Sequence, residues 1–298
     1  MTRPRRIVPG EVLMGTRRCI ERRFLLRPDG ITTKLFKHLL ARAARLTGVL
    51  LHDFQVLSNH YHIVFTDPLG LRPEFFRELN SLLARSVNQV FGRWETFFAP
   101  GSYNAVVLVD GDALEEECLY TLCNVVESGL VSLPERWDGA NSWSMEYGEP
   151  ETVSRPKSVF FTEEMREEET LVLVRPEGLY PELSDAEARA RLRAKAKERS
   201  RKLARELHAK GGAFMGMKRV MRQPRESSPK TRAPRRGIRP TVAGKNKWAR
   251  IEALQRNICF LVDYEDARTR FEDGERDVRF PLGTYKMLHR FGVAVAAA

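Results

Sequence analysis

Between residues 11 and 131 the apolar residues switch between a period of two and a period of 3.6, and that switching restricts the fold more than any other feature of the chain. The stretch "EVLMGTRRCIERRFLL" (11–26) is strand-like, interrupted by basic residues. "RPDGIT" after it is a turn signal. In 32–49, Leu35, Leu39, Leu40, Ala43 and Leu46 form the stripe of an amphipathic helix, with Thr32 or Thr33 as its N-cap. Two alternating segments, 49–58 and 60–67, read as strands joined tightly at Ser58 and Asn59. A second helix is predicted over 73–94, with Phe76, Leu79, Leu83, Val87 and Val90 or Phe91 on its apolar face. A strand over 102–110 precedes a third helix over 112–131. Acidic residues open that helix, which suits the positive end of its dipole, and Gly129 falls where it should stop. The order β-α-β-β-α-β predicts an α+β fold: a ferredoxin-like (RRM-like) antiparallel sheet with helices on one face, plus an added helix. This unit is expected at 8–150.

The second half differs in composition. An acidic-then-basic helical extension is expected over 151–221, including a highly charged helix over 184–212. Residues 222–247 are basic and Pro-rich and read as a linker or extended arm. A C-terminal helix with the stripe Trp248, Ile251, Leu254, Ile258, Leu261, Tyr264 follows within 248–298, and a hairpin over 277–293 closes the chain. Residues 189–250 hold 22 Lys and Arg against 3 Asp and Glu, a local +19 in a chain of net +11, so the remainder carries −8. The basic character is therefore local, and a polyanion, nucleic acid first, is the expected partner. The four cysteines form no C-x-x-C pair and are too few for a disulfide scaffold, so a reducing, cytoplasmic setting is expected. No apolar run is long enough for a signal peptide or a membrane span, so no membrane partner is expected.

Two histidines stand out inside an apolar strand: "SNHYHIVFTD" (58–67). On a strand, residues two apart share a face, so His60 and His62 project together and can chelate one cation. Two polar rings on a half-exposed face is the plainer reading, and a third ligand must come from elsewhere. The helix "EEECLYTLCNVVESGLV" offers Tyr120, Asn124 and Glu127 on one stripe. On spacing alone, Tyr120 reads first as an ordinary core aromatic with its hydroxyl at the surface.

The combination of segments adds to this. "NHYHIVF" resembles the N-H-x-H strand of HUH single-strand nucleases. "LYTLCNVVESGLV" resembles the Y-I-x-x-N-P-V-R-A-G-L-V segment of REP-associated tyrosine transposases, matching at Tyr120, Asn124, Val126, Gly129, Leu130 and Val131. "ERWDGANSWSMEYG" is similar to the family's W…WSS stretch at Trp137, Trp143 and Ser144. "LNSLLARSVNQVFGRW" is similar to a family helix at Leu79, Asn80, Ala84, Asn88 and Gly92. The likeness covers roughly 10–150. The chain departs from the pattern at Val125 and Ser58, where the family has Pro, and at Glu127, where it has Arg.

The resemblance implies a metal-dependent single-strand DNA transposase or nickase that cleaves and rejoins hairpin-containing DNA. Tyr120 would be the nucleophile of a 5′-phosphotyrosine intermediate. His60, His62 and Asn124 would hold a divalent metal, Mg or Mn, with Glu127 as an assisting group. Single-stranded or hairpin DNA is the implied partner, for a monomer or a homodimer in the cytoplasm at the nucleoid. Arg17, Arg18, Arg22, Arg23, Arg77, Arg85 and Arg93 are candidate DNA contacts, although each alone reads as a solvated charge. The changes at 125 and 127 and the basic tail keep a second reading open: a catalytically inactive nucleic-acid-binding protein of the same fold. A metal-dependent hydrolase of a small substrate lacks any other ligand cluster or Gly-rich phosphate loop.

Overall fold

Each early element stops where the backbone finds a better use for its polar groups. The computed structural model describes residues 4–101, 103–157, 165–231 and 240–297. Strand β1 (Glu11–Arg18) gives way to a 3-10 turn at Ile20–Arg22, where Glu21 and Arg22 adopt left-handed φ of 49° and 60°. This turn cuts short the strand expected over 11–26. Helix α1 (Gly30–Thr47) starts earlier than the Thr32 or Thr33 cap predicts, because Asp29 Oδ1 already accepts from the Thr32 N–H at 3.0 Å. Gly48, at φ 69°, closes it in the left-handed conformation. Strands β2 (Leu50–Val56) and β3 (His60–Asp67), helix α2 (Arg72–Val90), strand β4 (Asn104–Leu108) and helix α3 (Gly111–Glu127) follow. Beyond them lie β5 (Pro150–Ser154), β6 (Glu168–Val172), α4 (Asp185–Ala209), α5 (Met217–Arg222), β7 (Val242–Ala243), α6 (Lys247–Glu272), β8 (Arg279–Phe280), α7 (Lys286–Phe291) and β9 (Ala294–Val295).

The protein is a mixed α+β structure around one antiparallel-rich sheet in the order β2-β3-β1-β4-β7, in which only the edge pair β4–β7 is parallel. Alternation sorts its two faces. Leu13, Phe54, Tyr61, Ile63 and Phe65 point into a core closed by Leu35, Phe36 and Leu39 of α1 and Phe75, Phe76 and Leu83 of α2. Each such buried side chain contributes on the order of 1.5–3 kcal/mol. The Phe76 ring of α2 lies so close over β1 that a Cβ on Gly15 would sit 2.4 Å from its Cζ, which favours glycine there. Met14, Val64, Val106 and Leu108 point the other way, onto Leu114, Cys118, Leu119 and Leu122 of α3. The third helix thus covers the face opposite α1 and α2.

Helix α4 lies over α3, inserting Ala188, Leu192 and Ala196 into the same cluster. A Ser184–Glu187 capping box starts it. Its many basic residues are largely consumed by neighbours: Arg193 pairs with Glu146, Lys195 with Glu115, Lys197 with Glu135 and Arg199 with Glu116. The deepest anchor is Arg189. It is fully buried against an equally buried Asp53 on β2 at 2.8 Å, and it donates to Met145 O at 2.9 Å and to Ser142 O. The β5–β6 hairpin packs on α1, with Arg45 bridging to Glu169 at 2.7 Å.

Of the expected linker 222–247, residues 232–239 lie outside the described residues. Its ends are anchored. Residues 223–231 dock against the 3-10 turn and the segment that follows α2, while β7 extends the sheet and α6 follows directly. In place of the hairpin expected over 277–293, β8 and β9 pair in parallel across α7. They form a small core with Phe260, Tyr264, Ala267 and Val278. Among the described residues no helix is long and apolar enough to cross a membrane.

Candidate active site

Strand period two places His60 and His62 on the α3 face of β3, opposite Arg18 and Thr16 of β1, respectively. Their rings meet edge to face with centroids 5.0 Å apart. From α3, the Tyr120 ring stands perpendicular to His62 at 5.2 Å. Asn124, one helical turn further on, is buried beneath. The amide of Asn124 interacts with both the His60 ring and the Tyr120 hydroxyl. The structure therefore brings His60, His62, Tyr120 and Asn124 together.

The polar atoms here are under-satisfied. Among the described residues, both ring nitrogens of His62 and Oδ1 of Asn124 are buried with no hydrogen-bond partner. His60 is better fixed: its Nδ1 lies 2.6 Å from Asn59 Oδ1, and Asn59 Nδ2 donates to Arg22 O at 3.1 Å. That second bond sets the Asn59 amide so that its oxygen faces the ring. His60 then carries its proton on Nδ1 and leaves the Nε2 lone pair free, as in metal-ligating histidines whose other nitrogen is held by a neighbour. Burial lowers the His60 pKa to about 4, helped by Arg18 and Arg22. Burial, and then His60 itself, push His62 well below the usual value. Both rings are neutral near pH 7 and able to donate to a cation. Two neutral imidazoles and an amide oxygen brought together on one sheet face fit a divalent ion, and the nitrogen content favours Mn over Mg. Among the described residues there is no cluster of three or more His, Cys, Asp or Glu, so any cation here depends on the Asn124 amide.

The Tyr120 phenol is half-buried. Burial raises its pKa, the carboxylate of Glu127 raises it further, and the Asn124 amide offsets part of the rise. Glu127 itself is exposed at the end of α3.

The arginines separate. Arg18 shares the His60 face. Arg17 points to the opposite face, over the Phe98 ring at 5.3 Å, and donates to Gly101 O at 2.7 Å. Arg77 and Arg85 are exposed on α2, the helix that covers the sheet face away from His60 and His62. Arg22 donates to Thr231, and Arg23 and Arg93 both hold the carboxylate of Glu226. Three of the candidate contacts are thus engaged by the docked segment 223–231.

Two polar groups escaped the motif reading. Gln55 is the β2 partner of His62 in the sheet register and is fully buried, with neither amide atom paired. Thr121, beside Tyr120 on α3, is also buried with an unpaired hydroxyl. The available signal was Asp53 and Gln55 standing two apart in β2, which assigns both to one face; the register makes it the face of His62.

No family model matches this sequence. No curated protein matches it either. Two solved structures are similar in part. One is a REP-associated tyrosine transposase bound to a REP hairpin, at 17% identity and a TM-score of 0.39, covering 48% of this chain and 82% of that one. The other is a candidate transposase from Deinococcus radiodurans R1, at 20% identity and a TM-score of 0.28, covering 36% of this chain and 85% of that one.

Proposed function

We propose that the protein is a single-strand DNA transesterase of the tyrosine type, built on a ferredoxin-like sheet, that cuts and rejoins hairpin-containing DNA. The observation that carries this reading is the edge-to-face contact of Tyr120 on α3 with His62 on β3, ring centroids 5.2 Å apart, beside the unpaired buried nitrogens of His62 and amide oxygen of Asn124. The motif likeness of residues 58–67 and 119–131 supports it independently of that geometry.

In this reading the Tyr120 oxygen attacks the scissile phosphorus. The new P–O bond forms as the bond to the 3′-oxygen breaks, and the phenolic proton is lost while the departing 3′-oxygen gains one through solvent. The strand is left with a free 3′-OH and a 5′-phosphotyrosine, so the ester bond is conserved and rejoining needs no ATP. His60, His62 and Asn124 would hold Mg or Mn, which when bound supplies charge to the phosphate oxygens. Asn59 keeps the His60 ring oriented. Asn124 lowers the cost of ionising Tyr120 while burial and Glu127 raise it. Arg18, on the same face as His60, is the nearest candidate to neutralise a phosphate.

The effect of Glu127 on Tyr120 also favours a second reading, in which the protein binds nucleic acid without cutting it. One experiment separates the two. The protein is incubated with 3′-labelled hairpin DNA and Mn, then resolved on a denaturing gel. A covalent adduct that disappears in Tyr120→Phe and in His62→Ala supports transesterification. Salt-sensitive binding with no adduct under any metal supports the second reading.

A further inference from the structure

We propose that α6 is a self-association surface on which a second copy of this chain packs antiparallel. Helix α6 has 26 residues and spans about 39 Å. Its inner side closes the small C-terminal core through Phe260, Tyr264 and Ala267. Its outer side carries a second apolar stripe at helical spacing: Trp248, Ile251, Leu254, Ile258 and Val262. Trp248 is 74% exposed, Ile258 61% and Val262 65%. Leu254 is 40% exposed as well; single exposed apolar residues are common, but these four along one helix face are not explained by a solvated surface.

The charges on α6 choose the occupant. Its first half (247–258) carries Lys247, Arg250 and Arg256 against Glu252, a net of +2. Its second half (259–272) carries Asp263, Glu265, Asp266 and Glu272 against Arg268 and Arg270, a net of −2. A parallel pair would set like charges side by side. An antiparallel pair sets each half against its opposite. A two-fold axis between positions 256 and 257 places Ile251 level with Val262 of the other copy and Ile258 level with Gln255. One register thus sets the two apolar stripes face to face and each basic half beside an acidic half of the other copy, which fits an isologous dimer. Cys259 falls level with Leu254. The inference stands on α6 alone and does not depend on the chemistry proposed for Tyr120.

The full chain is tested by light scattering after gel filtration at tens of micromolar. The expected mass is twice the 34.2 kDa of one chain. Ile258→Asp with Val262→Asp should return it to one chain mass, with an unchanged circular-dichroism spectrum because both residues are exposed. Leu254→Cys should form a disulfide-linked dimer with native Cys259 under mild oxidation. In a Cys259→Ser background that cross-link should vanish, because the two 254 positions lie about 7.5 Å apart along the axis. Three outcomes overturn the proposal: a native chain of single mass, an Asp variant that stays dimeric, or a Leu254→Cys cross-link that survives Cys259→Ser.

Discussion

Replacing Arg189 with Met tests how helix α4 is held against the sheet that carries the histidines. The guanidinium and its Asp53 partner are both fully buried and 2.8 Å apart, and the guanidinium makes further bonds to two backbone carbonyls. Arg189→Met leaves the Asp53 carboxylate without its counter-charge, and Oδ2 is already unpaired. The Ser142 hydroxyl, which donates to Oδ1 at 2.7 Å, remains but carries no charge. Stranding a buried charge in this way costs about 3–5 kcal/mol. For a chain of this size that is a fall of roughly 10 °C in Tm, read by calorimetry or by circular dichroism at 222 nm. Asp53→Val with Arg189→Met removes both charges and should recover most of the loss, since a buried pair exchanged for apolar groups is close to neutral. Ser142 stays satisfied in that double variant, because its hydroxyl can donate to Phe54 O at 3.2 Å. A single variant within about 2 °C of the native Tm, or a double variant as damaged as the single one, refutes the reasoning.

Other perturbations act nearer the surface and the site. Glu226→Ala should free Arg93, while Arg23 keeps its pairing with Glu21 at 2.7 Å, raising single-strand DNA affinity severalfold at low salt and steepening the log–log salt dependence by roughly one counterion; an unchanged slope would show that Arg93 does not meet phosphate. Gln55→Val should raise the Tm of chelator-treated protein, because a buried amide with no partner costs about 1–3 kcal/mol; a lower Tm would mean that an ordered water or another group satisfies it. His52, between Val174 O at 2.6 Å and Thr66 Oγ1 at 2.7 Å, has its pKa lowered by burial from 6.5 to about 4. The folded state resists protonation there, so this contribution is complete above pH 6.5 and is lost as pH falls towards 4, about 3 kcal/mol in all. His52→Gln should therefore narrow the Tm difference between pH 7 and pH 4.5, and an equal or wider difference would count against it.

Element type was readable wherever the pattern was long and regular. The stripes Leu35–Leu39–Ala43 and Leu79–Leu83–Val87 became α1 and α2, and the alternating run 60–67 became β3 with the same bounds. Boundaries were less readable. Asp29 took the cap expected at Thr32 or Thr33, and the strand from 11 broke at Arg18, where the backbone turns through left-handed conformations. The closing hairpin gave way to a parallel pairing because a short segment such as 279–280 carries no sign of its partner's direction. The charge of 184–212 suggested a solvated or nucleic-acid-binding face. In the fold much of it is matched by acids on α3 and the loop that follows.

By itself, the sequence determined two local facts about the site. Period two sets His60 beside His62, and period 3.6 sets Tyr120 one turn from Asn124. Each follows from backbone geometry within a single element. That the two pairs meet was decided by tertiary structure. It depends on α3 choosing the sheet face opposite α1 and α2, a choice made by apolar contacts such as Val64 with Leu122 and enforced from outside by α4. Gln55 beside His62, Arg189 against Asp53 across 136 positions, and Glu226 over Arg23 and Arg93 belong to the same class. Periodicity records which face of an element is apolar; burial across long sequence separations decides which faces are brought together.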